Sequence, residues 1–491
     1  MKADVGQWLA EHAQHADALT SQGRHAEARQ AILDAIAVAP NVAALHAKLA
    51  TIEYVLGSYE AAVEAGRAAT QLDPSFATAY VNLASALGVL GRDSEAIAAA
   101  ERAIGLQPDL VQARVNLGTL LERRGDAAGA IEQYDAALLK RPAYPAALFN
   151  RGKALSELRR FDEALNDYQA AIFLSSDFAE AHVNLGMIHL LRGDFARGWP
   201  EYAWTMQLPA VRYAYRFFDK HLVWNGSPFT GKRLLITREQ GLGDFIQMAR
   251  FFPVAAALGG ELHVECPQEW MSVVGAMPAT FHASDGLAIT PGEFDYYLPI
   301  MHLPRVLGID LDTIPATVPY VRPESERAAY WKERLSRGER KRVGLVWAGN
   351  PQNSNDANRS MPVSAFERLH ELDGVAWFGV QKTHRADDFA PSQLAIEQLG
   401  AHLADFAVTA GIVENLDLVI SVDTSVAHLV GAMDRPVWLL LPYRPDWRWL
   451  LDRSDSPWYP SMRVFRQTAP GDWDGVIDAV MTALREELQP H

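Results

Sequence analysis

Pro40, Pro74, Pro108 and Pro142 stand at equal steps of 34 residues, and no other feature constrains the amino-terminal part of the chain as strongly. Gly23, Gly57, Gly91, Gly125 and Gly193 keep the same step, with Arg159 where the remaining glycine would stand. Ala28, Ala62, Ala96, Ala130 and Ala164 share the register. Such a period marks one supersecondary unit repeated along the chain, each copy burying its apolar face only against its neighbours. Glycine falls at a turn between two helices, alanine in their contact, and proline after the second helix.

A unit of this length and punctuation resembles the tetratricopeptide repeat. The register gives five repeats over about residues 7 to 176 and an incomplete sixth from about 177 to 206. The expected form is a right-handed superhelix of helix pairs with a concave inner face. One polar position also keeps the period: Asn82, Asn116, Asn150 and Asn184. Asn is a poor helix former, but its amide carries both a donor and an acceptor. Each amide either bonds to the neighbouring repeat or grips the backbone of an extended peptide. The row resembles the asparagine ladder in the repeats of O-linked N-acetylglucosamine transferase, which favours an acceptor-peptide groove.

The 491 residues carry a formal net charge of −15. That excludes nucleic acid or an anionic membrane as a general partner, since counterion release needs clustered Lys and Arg. Cys266 is the only cysteine, so no internal disulfide or Cys-rich metal site can form. The first residues are polar, with Asp4, Glu11, His12, His15 and Asp17, and no apolar run has the length of a membrane span. The expectation is a cytoplasmic protein without a membrane span.

Four segments follow: a repeat array at 1–206, an aromatic joint at 207–230, a first α/β lobe at 231–325 and a second at 326–491. Trp199, Tyr202, Trp204, Tyr213, Tyr215, Phe217, Phe218, Trp224 and Phe229 around the joint are too apolar for a flexible linker. In the first lobe, Arg233–Thr237 reads as a strand and Glu239-Gln-Gly-Leu-Gly-Asp244 as a glycine loop. Phe245 to about Leu258 reads as a helix and Glu261–Glu265 as the next strand. The residue three after Gly243 is Ile246, so the dinucleotide fingerprint is absent. Lys341–Trp347 opens the second lobe, with a polar loop through Asn350 and Arg359. Leu416–Ile420 is a buried strand that stops at Asp423, Thr424 and Ser425 and runs into a helix carrying His428. A strand-to-helix junction of this kind aims free backbone N–H groups at an anion. Asp310-Leu-Asp312 and Asp472-Trp-Asp474 follow no apolar strand and read as structural or capping, so no metal site is expected.

The glycine loop ending at Asp244, Gly344-Leu-Val-Trp-Ala-Gly-Asn-Pro351, Asp356 with Arg359-Ser360, Val422-Asp-Thr424 with Ala427-His-Leu429, and Asp446-Trp-Arg-Trp449 occur in this order. Together they resemble bacterial tetratricopeptide-repeat glycosyltransferases whose catalytic half is similar to the lipopolysaccharide heptosyltransferases. The resemblance implies an all-α repeat superhelix followed by an α/β GT-B module of two Rossmann-like lobes. It also implies an inverting, metal-independent transfer from a nucleotide sugar to a Ser or Thr hydroxyl of an acceptor protein, and no further cofactor. Some relatives of this architecture glycosylate flagellin, which is therefore one candidate acceptor. Asp244 matches the family's catalytic base. Gly241, Gly243, Gln247, Asn350, Arg359, Gln381, Lys382, Asp423, Thr424, Ser425, His428 and Arg448 are the residues expected to hold the nucleotide sugar. Two other expectations stay open: a transferase acting on a glycolipid or lipopolysaccharide, and a repeat scaffold with an inactive GT-B fold.

Overall fold

The computed structural model describes residues 2–209, 222–239, 241–274, 277–284, 292–353, 355–382 and 394–489. The side chains of residues 2–5 also lie outside the description. The aromatic residues Tyr213, Tyr215, Phe217 and Phe218 of the expected joint lie outside it too. The chain divides into two compact units, Met1–Ala181 and His182–His491.

The first unit is an array of tetratricopeptide repeats. Its antiparallel helix pairs are α1 (Lys2–Ser21) with α2 (His25–Val38), α3 (Ala43–Val55) with α4 (Tyr59–Leu72), and α5 (Ala77–Val89) with α6 (Asp93–Leu106). Then come α7 (Val111–Arg123) with α8 (Ala127–Lys140), and α9 (Pro145–Glu157) with α10 (Phe161–Leu174). Ala28, Ala62, Ala96, Ala130 and Ala164 are all fully buried, because only a methyl group fits where the two helices of a pair meet. The periodic glycines turn the chain in the left-handed region, Gly57 at φ +78° and Gly125 at φ +81°. Arg159, the exception in the sequence, adopts the same turn at φ +57°. The fold therefore imposes the turn even where the residue resists it.

The sixth pair, α11 (Ala179–Leu191) and α12 (Phe195–Tyr202), lies in the second unit except for its first residues. There it packs against the α/β part. Trp199 Nε1 donates to Ile309 O at 3.0 Å, and the Trp199 and Trp447 rings meet edge to face at 5.3 Å. Phe195 stacks on Trp458 at 6.3 Å.

Two parallel sheets follow. The first, in the order β3-β2-β1-β4, comprises β1 (Arg233–Thr237), β2 (Glu261–Cys266), β3 (Thr280–Ala283) and β4 (Tyr296–Pro299). The second, in the order β10-β9-β8-β5-β6-β7, comprises β5 (Lys341–Val346), β6 (Val375–Gly379), β7 (Ile396–Gln398), β8 (Leu418–Val422), β9 (Val437–Leu441) and β10 (Met462–Arg466). In both, the chain winds outward from the first strand and then crosses to its other side. That crossing is the switch point at which doubly wound sheets bind ligands. The strands β6, β8 and β9 are buried at every position, as parallel sheets covered on both faces require.

The helices of the second unit are α13 (Leu242–Ala249), α14 (Phe252–Ala256), α15 (Leu303–Val306), α16 (Ser325–Arg334), α17 (Asp356–Arg359), α18 (Phe406–Val413), α19 (Ser425–Ala432) and α20 (Trp473–Leu488). The single helix expected from Phe245 to Leu258 is thus two. The first starts earlier, at Leu242, and Pro253, which has no N–H, stands in the first turn of the second. Asp472 caps α20 by accepting from Gly475 N at 3.0 Å, and Asp310 accepts from Thr313 N at 2.9 Å. Both acidic pairs therefore shape turns.

Candidate functional site

The loops after β1 and β8 come together. Gly241 is the N-cap of α13, and Asp244 sits at the third helical position, where its Oδ2 accepts from Gly241 N at 2.7 Å. Thr424 is the N-cap of α19, its hydroxyl 3.1 Å from that of Ser421. A Cβ on Gly243 would stand 2.8 Å from His428 Cδ2 and 3.4 Å from Ser425 Cα. The amino ends of α13 and α19 therefore meet at Gly243, and any side chain there would force them apart. Two helix amino ends, each with unsatisfied N–H groups and positive dipole charge, converge on one place.

Arg448 ties this junction together. Its Nη2 donates to Asp244 Oδ1, its Nε to Gln247 Oε1 at 2.6 Å and its Nη1 to Asp446 Oδ1 at 2.6 Å. Burial works against its charge, but Asp446 and Asp244 outweigh it and hold the guanidinium protonated. Both Asp244 oxygens are consequently engaged. The turn that presents Arg448 ends at Leu450, whose φ of +53° and ψ of −169° form a combination that side chains other than glycine rarely adopt.

His428 is 4% exposed and its Nδ1 lies 2.9 Å from the Tyr459 hydroxyl. Burial, then Arg448, Arg250 and Arg359, holds its pKa well below the ordinary histidine value, so the ring is neutral. Asp423 Oδ1 is 4.0 Å from His428 Nε2. Burial and then Asp446 push the Asp423 carboxyl up to about 6, against the opposing pull of Trp449, Arg448 and Arg359.

The remaining expected residues separate. Gln247 is fully buried as the partner of Arg448, with its Nε2 unbonded. Gln381 is also buried, its Oε1 accepting from Ala348 N at 3.2 Å behind the β5 loop. Asn350 is exposed and closes a local turn by accepting from Gln352 N at 3.0 Å. Arg359 Nη2 lies where a Cβ on Gly349 would be 2.6 Å away, and its Nε is 3.7 Å from Asp356 Oδ1. Lys382 is exposed. Beside this loop is a cavity of about 850 Å³ lined by Pro351, Gln352, Asn353, Asp356, Ser360 and Met361, among others. Among the described residues its lining includes amides, hydroxyls and a carboxylate but no cation.

In the array, Asn82 Nδ2 donates to Ala47 O at 3.1 Å and to Thr51 Oγ1 at 2.9 Å, and Asn116 Nδ2 donates to Ser85 Oγ at 2.7 Å. These amide donors join successive repeats. Asn150 and Asn184 are half-buried at the equivalent positions.

Arg250 and Tyr459 were not legible as site residues. Arg250, 3% exposed, donates to Trp458 O at 2.6 Å and lies over the Tyr459 ring at 5.0 Å. No local motif surrounds either residue: Arg250 comes from the carboxyl end of α13 and Tyr459 from the segment between β9 and β10.

The geometry defines a repeat-bearing chain with an α/β second unit, and comparison with known proteins agrees on the repeats. Residues 14–77, 81–147 and 149–202 match the tetratricopeptide repeat model. Protein FlbA of Caulobacter vibrioides is 28% identical over 337 residues, which cover 63% of this chain and 56% of FlbA. The chain thus spans a little over half the length of that relative. Among solved structures, MamA protein is 25% identical with a TM-score of 0.31, covering 36% of this chain and 96% of its own. The pilF protein of Pseudomonas aeruginosa is 19% identical with a TM-score of 0.39, covering 43% of this chain and 97% of its own. Among the described residues, no helix is long and apolar enough to cross a membrane.

Proposed function

We propose that the second unit is a GT-B glycosyltransferase that moves a sugar from a nucleotide sugar to a protein hydroxyl, and that the repeats capture the acceptor protein. The observation that carries this reading is the meeting of the α13 and α19 amino ends at Gly243, with Arg448 beside them. Helix amino ends and a guanidinium suit the diphosphate of a nucleotide sugar, as fixed donors that stabilise a leaving phosphate. The cavity lined by Gln352, Asn353, Ser360 and Ser364 offers amides and hydroxyls that suit a hydroxyl-rich group, the sugar or nucleoside.

Asp244 is the base in this reading. Arg448 turns from Asp244 Oδ1 to the diphosphate, and the freed carboxylate takes the acceptor proton as the hydroxyl attacks the anomeric carbon and the bond from that carbon to the diphosphate oxygen breaks, its electron pair leaving with the nucleoside diphosphate. The paired state of Asp244 also favours a second reading, a repeat scaffold whose α/β unit binds a nucleotide without turnover.

Binding and turnover separate the two. Thermal-shift screening against UDP, GDP, ADP and CMP should give a stabilising nucleotide, because a ligand of the native state raises its stability by mass action. The corresponding nucleotide sugar should then be consumed, and Asp244→Asn should lower transfer by about 10²- to 10⁴-fold with nucleotide binding kept. A nucleotide that binds while its sugar is never released would favour the scaffold. EDTA should leave transfer unchanged, and a rate restored only by manganese or magnesium would overturn the metal-free mechanism.

A further inference from the structure

Tyr459 is built into the site from three sides. A Cβ on Gly431 would stand 2.4 Å from Tyr459 Cγ, so the α19 glycine one turn after His428 is what admits the ring. Arg250 covers the ring at 5.0 Å, and the hydroxyl reaches His428 Nδ1 at 2.9 Å. The His428 ring is held in turn by Trp449, at 5.1 Å between centroids, and by the absence of a side chain on Gly243. Its other nitrogen, Nε2, lies 3.5 Å from where a Cβ on Gly243 would stand. Among the described residues it has no hydrogen-bond partner, the nearest acid being Asp423 at 4.0 Å. The His428 side chain is 5% exposed and keeps this one nitrogen unbonded beside the amino end of an eight-residue helix, an observation independent of the helix itself.

Phenol chemistry decides which way the 2.9 Å bond runs. A phenol is a far stronger acid than a neutral imidazole N–H, and an imidazole nitrogen is a far stronger base than a phenol oxygen. The Tyr320 hydroxyl donates to Ile246 O at 3.0 Å, which leaves its oxygen as a rival acceptor for the Tyr459 proton, but a phenol oxygen is the weaker base and His428 Nδ1 keeps the bond. We propose that Tyr459 donates to His428 Nδ1 and is the positioning residue that places the His428 proton on Nε2, as a hydrogen-bond donor to phosphate oxygens at the amino end of α19. The inference rests on the phosphate-site part of the functional reading and adds to it the residue through which His428 acts. Arg250, Arg359 and Arg448 face the ring and oppose its protonation, with Asp423 the acid nearest to Nε2. His428 is then a donor that carries no charge, and its hydrogen bond does not depend on an acidic medium.

The test is nitrogen NMR on the full chain labelled with ¹⁵N-histidine, with the His428 signals identified by their loss in His428→Gln. At pH 7 the wild type should show a protonated Nε2 and a bare, hydrogen-bonded Nδ1, and the Nε2–H signal should move on adding inorganic pyrophosphate. Tyr459→Phe keeps the ring seated on Gly431, should give a mixture of both tautomers, and should weaken pyrophosphate binding several-fold. A proton on Nδ1, an imidazolium at pH 7, or signals unmoved by saturating pyrophosphate would overturn the proposal. All three are read from the wild-type spectrum alone, so the test holds even where Tyr459→Phe does not fold. A pyrophosphate-responsive Nε2–H in a protein that never consumes a nucleotide sugar would leave this assignment standing and sink the transferase.

Discussion

Asp423 shows how a site residue acts against the stability of its own fold. Its carboxyl, at an ordinary 3.8, is pushed up to about 6 by burial and by Asp446. Below about pH 3 the group is protonated in both states and has no effect. As pH rises the unfolded chain ionises first, so stability falls until about pH 6 and stays lowered above it. Asp423→Asn removes that penalty. The variant should melt higher than wild type at pH 7.5, by no more than about 3 kcal/mol at about 1.4 kcal/mol per pKa unit, and almost identically at about pH 3. Equal midpoints at both pH values would show that the carboxylate is fully compensated by Arg448 and Arg359. Residues of this kind are the ones that sequence could nominate without assigning. Asp244, Gly243 and His428 stood out because a strand, a turn and a helix follow one another locally. Their partners are set by tertiary closure: Arg448 reaches Asp244 from a distant turn, Tyr459 reaches His428 from beyond β9, and no periodicity encodes either meeting.

Within single elements the repeats were legible almost throughout, since each repeat is the same local solution and errors average out over the copies. Arg159 is the informative exception. A left-handed residue other than glycine costs roughly 1 to 2 kcal/mol, so Arg159→Gly should raise the stability of the array by about 1 kcal/mol. Gly125→Ala is the mirror experiment: nothing lies within 4 Å of the added Cβ, so any loss is backbone strain alone, again about 1 kcal/mol. Gly152→Ala differs in mechanism, because its Cβ would meet the Tyr168 ring at 2.7 Å. Alanine's better helix propensity returns about 1 kcal/mol, against roughly 1 to 3 for overpacking, so a net loss is expected. Urea unfolding of the three variants would order them, and a stabilised Gly152→Ala would mean that the ring moves aside freely. The second unit was less legible at this scale. Its helices are short, and Pro253 divides one that apolar patterning alone runs together.

For the molecule as a whole, the asparagine row needs two separate measurements. Asn116 Nδ2 bonds to Ser85, so Asn116→Ala should cost the array about 1 kcal/mol whether or not the proposed acceptor binds there. Capture of a protein acceptor has to be read after that loss is subtracted. The repeat register also runs past the point where the two compact units divide, and this has a practical consequence. A fragment begun after the last helix of the register, at about residue 207, would lack Phe195 and Trp199, the rings that cover Trp458 and Trp447. Those indoles flank the Arg448 turn, so such a fragment should aggregate or bind the dye ANS. One begun at Ala179 should stay monodisperse. The sixth repeat is therefore a lid sewn onto the sheets of the second unit, and domain swaps among proteins of this kind would have to carry it along with those sheets rather than with the repeats it resembles.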